Sequence, residues 1–202
     1  MLKANIAVLV SGGGTNLQAL IDAQNNGIIQ SGKIKLVISN KSNAYALERA
    51  KNAGIDTAVV LKSDFGTQEA FEKEIIKTID SANIDIIVLA GFMSILTADF
   101  TNYYKDKIIN VHPSLIPSFC GKGFYGIKVH EAALNYGVKV SGATVHFVNE
   151  IPDGGKIIMQ KAVDVLDSDT PETLQKRIME EAEWKILPLS CEKVCSEIIE
   201  EK

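Results

Sequence analysis

Apolar residues in this chain fall into short unbroken runs, separated by stretches where they recur every three or four positions. Ile6 to Val10 is unbroken, as expected of a strand buried on both faces of a parallel sheet. Leu17, Leu20 and Ile21 then repeat at helical spacing. Ile34 to Ile38 reads as a second strand, Ala44 to Ala53 as a helix ending at Gly54, and Thr57 to Leu61 as a third strand. The segment Glu69 to Ala82 is amphipathic, with Phe71, Ile75, Ile76 and Ile79 on one face. Ile84 to Ala90 predicts a fourth strand, and Lys107 to His112, stopped by Pro113, a fifth. The alternation predicts an α/β fold with a doubly wound, Rossmann-like, mostly parallel sheet.

Beyond residue 112 the texture changes. Residues 113 to 127 are rich in Pro, Gly and aromatics and predict a mobile loop. Lys128 to Tyr136 has helical spacing, and Val138 to Val148 pairs with Lys156 to Val165 through a hairpin-like connection, Asn149 to Gly155. Thr170-Pro171 opens the last helix, with Thr as N-cap and Pro at the first helical position. Pro188 is expected to break or kink it before Ser190 to Glu201. No repeat or linker interrupts the chain, so residues 1–202 read as one domain with a parallel first half and a mixed second half.

Composition narrows the function. At 202 residues, with 46% hydrophobic and 23% charged positions, the chain is an ordinary globular sequence with room for a substantial core. A net charge of -4 argues against sequence-independent nucleic-acid binding. No apolar stretch approaches a membrane span, and no signal peptide precedes the first strand. Cys120, Cys191 and Cys195 are odd in number and lack Cys-x-x-Cys spacing. That argues against a disulfide framework or a metal site and for a cytoplasmic setting. Cys191 and Cys195, one helical turn apart, read as a buried helix face.

Three segments carry candidate chemistry. Asn110 and His112 lie two apart in a strand and so point the same way, at the carboxyl end where open α/β sheets place their ligands. An amide beside an imidazole suits acyl chemistry, though a structural strand-end role is equally open. Ser11-Gly12-Gly13-Gly14-Thr15-Asn16 follows the first strand and opens the first helix, the setting of an anion site. The plain alternative is a flexible turn capped by Thr15. Leu17 stands where a dinucleotide fingerprint needs Gly, and no P-loop is present. A small phosphate monoester therefore suits the loop better than NAD or ATP. Pro152-Asp153-Gly154-Gly155 is strong turn chemistry, yet its carboxylate could also reach a neighbouring histidine and favour imidazolium. His146, on a strand, and His130, on a helix, read as satisfied structural histidines.

Four segments together resemble the folate-dependent glycinamide ribonucleotide formyltransferases of purine biosynthesis. They are Ser11 to Gln18, Ala90 to Met93 with Ile95-Leu96, Asn110 to Pro117, and His146-Phe147-Val148 followed by Asp153 to Gly155. Their order and spacing cover essentially the whole chain. The resemblance implies formyl transfer from 10-formyltetrahydrofolate to the amine of glycinamide ribonucleotide, without a metal. It implies Asn110, His112 and Asp153 as the catalytic group. Gly14, Thr15 and Asn16 become the clamp for the ribonucleotide phosphate, and Glu183 a further ribonucleotide contact. Met93, Ser94, Ile95, Leu96, Asn110, Asn149 and Pro152 become folate contacts. Residues 1–105 thus form a phosphate-binding half, and 106–202 a catalytic and folate-binding half.

The chain departs from the family pattern at three places. Ser94 and Gln68 stand where relatives carry Arg or Lys, Trp184 replaces a familiar His, and the loop Phe119 to Ile127 is longer. A 10-formyltetrahydrofolate hydrolase and a non-catalytic folate- or nucleotide-binding module are the alternative readings.

Overall fold

The computed structural model describes residues 2–202. Its strands are β1 (Ala4–Val10), β2 (Gly32–Ser39), β3 (Asp56–Val59), β4 (Ile86–Leu89), β5 (Ile108–His112), β6 (Val140–Phe147) and β7 (Ile157–Asp164). They form one seven-stranded sheet in the order β3-β2-β1-β4-β5-β6-β7. The first five strands run parallel, and β6 and β7 are antiparallel. The direction of winding reverses between β1 and β4, and the carboxyl ends of β1, β4 and β5 open on that crevice.

The helices are α1 (Thr15–Asn25), α2 (Tyr45–Asn52), α3 (Gln68–Ser81), α4 (Ala98–Tyr103), α5 (Ile127–Tyr136), α6 (Pro171–Ile178) and α7 (Trp184–Glu200). Alternate residues of each central strand feed opposite cores. Ile6, Val8, Ile86 and Val88 pack on the α1, α6 and α7 side, with Leu17, Leu20, Leu174, Ile178 and Leu187. Ala7, Leu9, Ile87 and Leu89 pack on the α3 and α4 side, with Phe71, Ile75, Ile79 and Phe100. A sheet covered on both faces explains why its strands read as unbroken apolar runs. Cys191 and Cys195 are fully buried on α7, as their spacing suggested.

Two features differ from the pattern-based expectation. Helix α4 carries too short an apolar repeat to be seen in the sequence. It is started by Thr97, whose hydroxyl accepts from the Phe100 N–H, and tied to α3 by the buried carboxylate of Glu72, which accepts from the Thr97 N–H at 2.9 Å. Pro188 does not break the last helix: α7 runs through it. The irregularity lies one turn upstream, where Met179–Glu183 is wound as a π-helix ending beside Trp184, the residue whose carbonyl Pro188 has no N–H to meet.

The segment after β5, expected to be mobile, is pinned. Thr144 Oγ1 donates to the Ser114 carbonyl at 2.7 Å and accepts from the Ile116 N–H, and Gln160 Nε2 donates to the Ile116 carbonyl. Backbone groups laid over a sheet need partners, and the threonine and glutamine of β6 and β7 supply them.

His130, expected to be satisfied, is fully buried on α5 with no hydrogen-bond partner for either ring nitrogen among the described residues. Burial, with a smaller contribution from His112, pushes its pKa down to about 4. The unfolded chain therefore takes up a proton near pH ~6.5 that the folded chain refuses until about pH 4. Stability falls as pH drops through that window and levels off below it, by up to about 3 kcal/mol from this group. Urea midpoints at pH 7 and 4.5 should converge in His130→Leu relative to the parent; an unchanged difference would remove His130 as the cause.

Candidate active site

Strand pairing assembles the central cluster. In the β5–β6 register Asn110 lies opposite His146, and two residues on His112 lies opposite Thr144. Period-two alternation puts Asn110 and His112 on one face. The hairpin between β6 and β7 then delivers Asp153, held at a left-handed φ of 57°. Aspartate tolerates that conformation better than most residues. Gly155 fixes the hairpin's approach, because a Cβ there would lie 1.7 Å from the Phe147 carbonyl oxygen.

Asp153 meets both histidines. Its Oδ2 is 3.5 Å from His112 Nδ1 and accepts the Gly121 N–H at 2.8 Å, and its Oδ1 is 3.6 Å from His146 Nε2. Burial alone would push this carboxyl up. The hydrogen bond from His146, the neighbouring His112 and the Gly121 N–H together hold it below the ordinary aspartate range. Asp153 is therefore a carboxylate near neutral pH.

His112 runs against the expectation that Asp153 raises its pKa by favouring imidazolium. Both ring nitrogens face acceptors, Asp153 on one side and the Phe119 carbonyl at 2.9 Å on the other, which suits a doubly protonated ring. Burial outweighs them and, with His146 nearby, brings the His112 pKa below the usual histidine value. His146 Nδ1 lies 2.7 Å from the Phe147 carbonyl, and its Nε2 faces both Asn110 Nδ2 at 3.3 Å and Asp153 Oδ1 at 3.6 Å.

Beside this cluster lies a cleft of about 140 Å³ lined by Leu89, Phe92, Leu96, Val148, Ile151 and Pro152, with Ser94, Ile95, Asn110, His146, Asn149, Glu150 and Asp153 also on its wall. Apolar walls with a few convergent polar groups are the usual make-up of a small-molecule site. Met93 is not on the cleft wall: its N–H donates to Ser11 Oγ at 2.8 Å and its residue is exposed. Ser94 Oγ accepts from Asn40 Nδ2, and Gln68 Nε2 donates to Glu72 and to the Ile95 carbonyl.

The glycine loop opens α1 without a side-chain cap. Gly14 is the N-cap residue, at φ 72°, and Thr15 is the first helical residue, so the Thr15 cap of the plain alternative is not formed. That leaves the first N–H groups of α1 for an anion. The bonds Ala46 N–H to Gly12 O and Gln18 N–H to Gly14 O anchor the loop on both helices. Asn16 Nδ2 donates to Glu183 Oε2 at 2.7 Å, joining the loop to the π-helix. Glu183 is buried, which pushes its carboxyl above the ordinary range against the opposing Asn16 bond.

The formyl transferase family matches residues 4–190. A phosphoribosylglycinamide formyltransferase of Haemophilus influenzae is 45% identical over 91% of this chain and 84% of its own length. The human trifunctional purine biosynthetic protein adenosine-3 is 44% identical over 96% of this chain, which spans 18% of the human protein. The crystal structure of phosphoribosylglycinamide formyltransferase from Brucella melitensis superposes with a TM-score of 0.87 at 40% identity, covering 96% of each chain. The chain belongs to the phosphoribosylglycinamide formyltransferase family.

Within this family frame the structure brings Asn110, His112 and Asp153 together, and Asn16 to Glu183. The resemblance also implies the whole Asn149 to Asp153 loop as a folate-side wall, and Ile151 of that loop lines the cleft, as do His146 and Phe92, which sequence reasoning did not place there. His146 was within reach, since two antiparallel strands place some β6 residue opposite Asn110, but the register is not written in either strand alone. Gly14 has a double reason to be glycine. Its φ is positive, and a Cβ would lie 2.6 Å from the Ala46 Cβ and 2.8 Å from its Cα. Gly13 has nothing within 4 Å of the same position and no positive φ. Gly14→Ala should therefore lower stability by more than about 2 kcal/mol in urea unfolding, of which ~1–2 is the left-handed backbone. Gly13→Ala should cost under about 1 kcal/mol. Equal effects would count against the packing of α2 on the loop.

Proposed function

We propose that this chain transfers a formyl group from 10-formyltetrahydrofolate to the amine of glycinamide ribonucleotide, giving formylglycinamide ribonucleotide and tetrahydrofolate. One observation carries the reading. The amide of Asn110, the imidazole of His146 and the carboxylate of Asp153 line an apolar cleft, with His112 behind them 3.5 Å from Asp153, and an uncapped helix start opens into the same crevice, linked to it by the Met93–Ser11 bond. The setting that goes with this reading is the cytoplasm.

The residues fit a folate ring. About 140 Å³ is below the ~300–1,000 Å³ of a complete drug-sized site. The cleft thus takes one flat ring system, and the rest of the molecule runs over exposed Ile95 and Ile151. Bound there, the folate supplies the formyl carbon as electrophile. Asn110 and His112 stand where the formyl oxygen gains negative charge, and fixed donors aimed at that charge lower the barrier. Burial holds the His112 pKa down at rest, and the charge developing on the formyl oxygen raises the ring's proton affinity, so that the ring takes up the proton the amine releases through Asp153. Asp153 holds the ring and receives, directly or through water, the proton the amine loses. One C–N bond forms to the ribonucleotide, one breaks to the folate, and the proton ends on the folate nitrogen. No protein nucleophile takes part.

Thr15 and Asn16, with the first N–H groups of α1, hold the ribonucleotide phosphate, and Glu183 positions Asn16. The test is tetrahydrofolate release by the purified protein with and without glycinamide ribonucleotide. Release should require the ribonucleotide. His112→Ala should slow it by about 10²–10⁴ while folate binding stays within about threefold. Release without the ribonucleotide would make water the acceptor and the chain a hydrolase. Folate binding with no release would make it a binding module.

A further inference from the structure

We propose that Arg49 is a positioning residue for the ribonucleotide phosphate: it holds the glycine loop open toward the anion and supplies the loop's positive charge. The inference rests on reading that loop as the phosphate clamp. A carbonyl oxygen turned toward a phosphate repels it, so the three glycine carbonyls of the loop must face elsewhere. Two are held by backbone, Gly12 O by the Ala46 N–H at 3.0 Å and Gly14 O by the Gln18 N–H at 2.9 Å. The third, Gly13 O, is held by a side chain, Arg49 Nε at 2.8 Å. Without that bond the Gly13–Gly14 peptide loses its anchor, and its carbonyl is free to swing toward the anion.

Arg49 is itself fixed from two sides. Its Nη1 donates to Gln18 Oε1 at 3.0 Å, and its guanidinium carbon sits 5.0 Å from the ring centroid of Tyr45, one helical turn earlier on α2. All these partners are neutral, and no carboxylate pairs with Arg49 among the described residues. The guanidinium therefore keeps its full charge beside the loop. The charge is needed there. The phosphate is an anion, the loop's other donors are neutral, and the nearest acid, Glu183, has the wrong sign. Arg49 is the one cationic side chain hydrogen-bonded to the loop among the described residues. The close approach of α2 that brings it in depends on Gly14, whose missing Cβ would stand 3.4 Å from Arg49 Cδ.

The test uses the full chain, with steady-state constants for both substrates and inorganic phosphate as a competitive probe against the ribonucleotide. Arg49→Gln should raise the ribonucleotide KM and the phosphate Ki about tenfold, leaving kcat and the folate KM within about twofold. Arg49→Lys keeps the charge but loses the planar fork and its Nε bond, and should raise the same two constants about threefold. A general loosening of the fold would instead move kcat and the folate KM as well. Asn16→Ala run in parallel separates the two levels of the argument. If it raises the ribonucleotide KM while both Arg49 variants leave it unchanged, the role of Arg49 is overturned and the phosphate loop stands. If none of the variants moves that constant, the phosphate-loop reading fails and this inference with it. Should Arg49→Gln not fold, Arg49→Lys decides: a KM equal to the parent's overturns the proposal.

Discussion

A carboxylate taken out of water has to be surrounded by donors, and the Asp153 carboxylate draws the second half of this molecule together. Its partners come from three separate places: His112 at 3.5 Å at the end of β5, His146 at 3.6 Å on β6 and the Gly121 N–H at 2.8 Å in the long loop. None of the three could satisfy it alone. The left-handed backbone at Asp153 and the tight contact of Gly155 with the Phe147 carbonyl are the local costs of delivering the carboxylate there. Because those costs are offset only when all the donors arrive, the hairpin, the loop and the β5–β6 pairing depend on one another. The loop after β5 is ordered for the same reason: it ends in the Phe119 carbonyl and the Gly121 N–H that complete this arrangement.

The first half of the sheet answers a different requirement. Five parallel strands covered on both faces leave their carboxyl ends as the one place where chain reversals meet open space. The reversal between β1 and β4 puts the start of α1 and the loop after β4 side by side, and the Met93 N–H to Ser11 Oγ bond closes the gap between them. The proposed sites for an anion and for a flat apolar ring thus become neighbours through topology, before any particular side chain is chosen.

Much of this was legible in the chain itself. Runs such as Ile6 to Val10 and Ile86 to Leu89 announce strands buried on both faces, and the repeat in α3 has one apolar face. The Asn110–His112 spacing and the glycine loop announce ligand ends of strands. What was not legible depended on contacts between distant segments. The register that sets Asn110 against His146 follows from the pairing of two strands over thirty residues apart. The lowered pKa of His112 follows from burial, which no local pattern reveals, and it runs against an expectation drawn from the nearby aspartate alone. Pro188 was read by its local rule and fails to break the helix because the π-helix upstream changes the winding where its missing hydrogen bond falls.

The electrostatics of the phosphate end follow from the same competition between burial and pairing. In the proposed complex a protein of net charge -4 admits an anionic ribonucleotide beside its own Glu183. An exposed, fully ionised carboxylate would oppose that ligand. Glu183 is buried instead, and desolvation raises its pKa against the opposing bond from Asn16. Its bond to Asn16 meanwhile orients an amide at the mouth of the helix. At the other end of the crevice the positions of Gln68 and Ser94 carry no charge. They are spent on structure: Gln68 bonds Glu72 and the Ile95 carbonyl, and Ser94 bonds Asn40. In the proposed complex, charge recognition is therefore concentrated at the phosphate end, and the folate end relies on apolar walls and on the amides of Asn110 and Asn149.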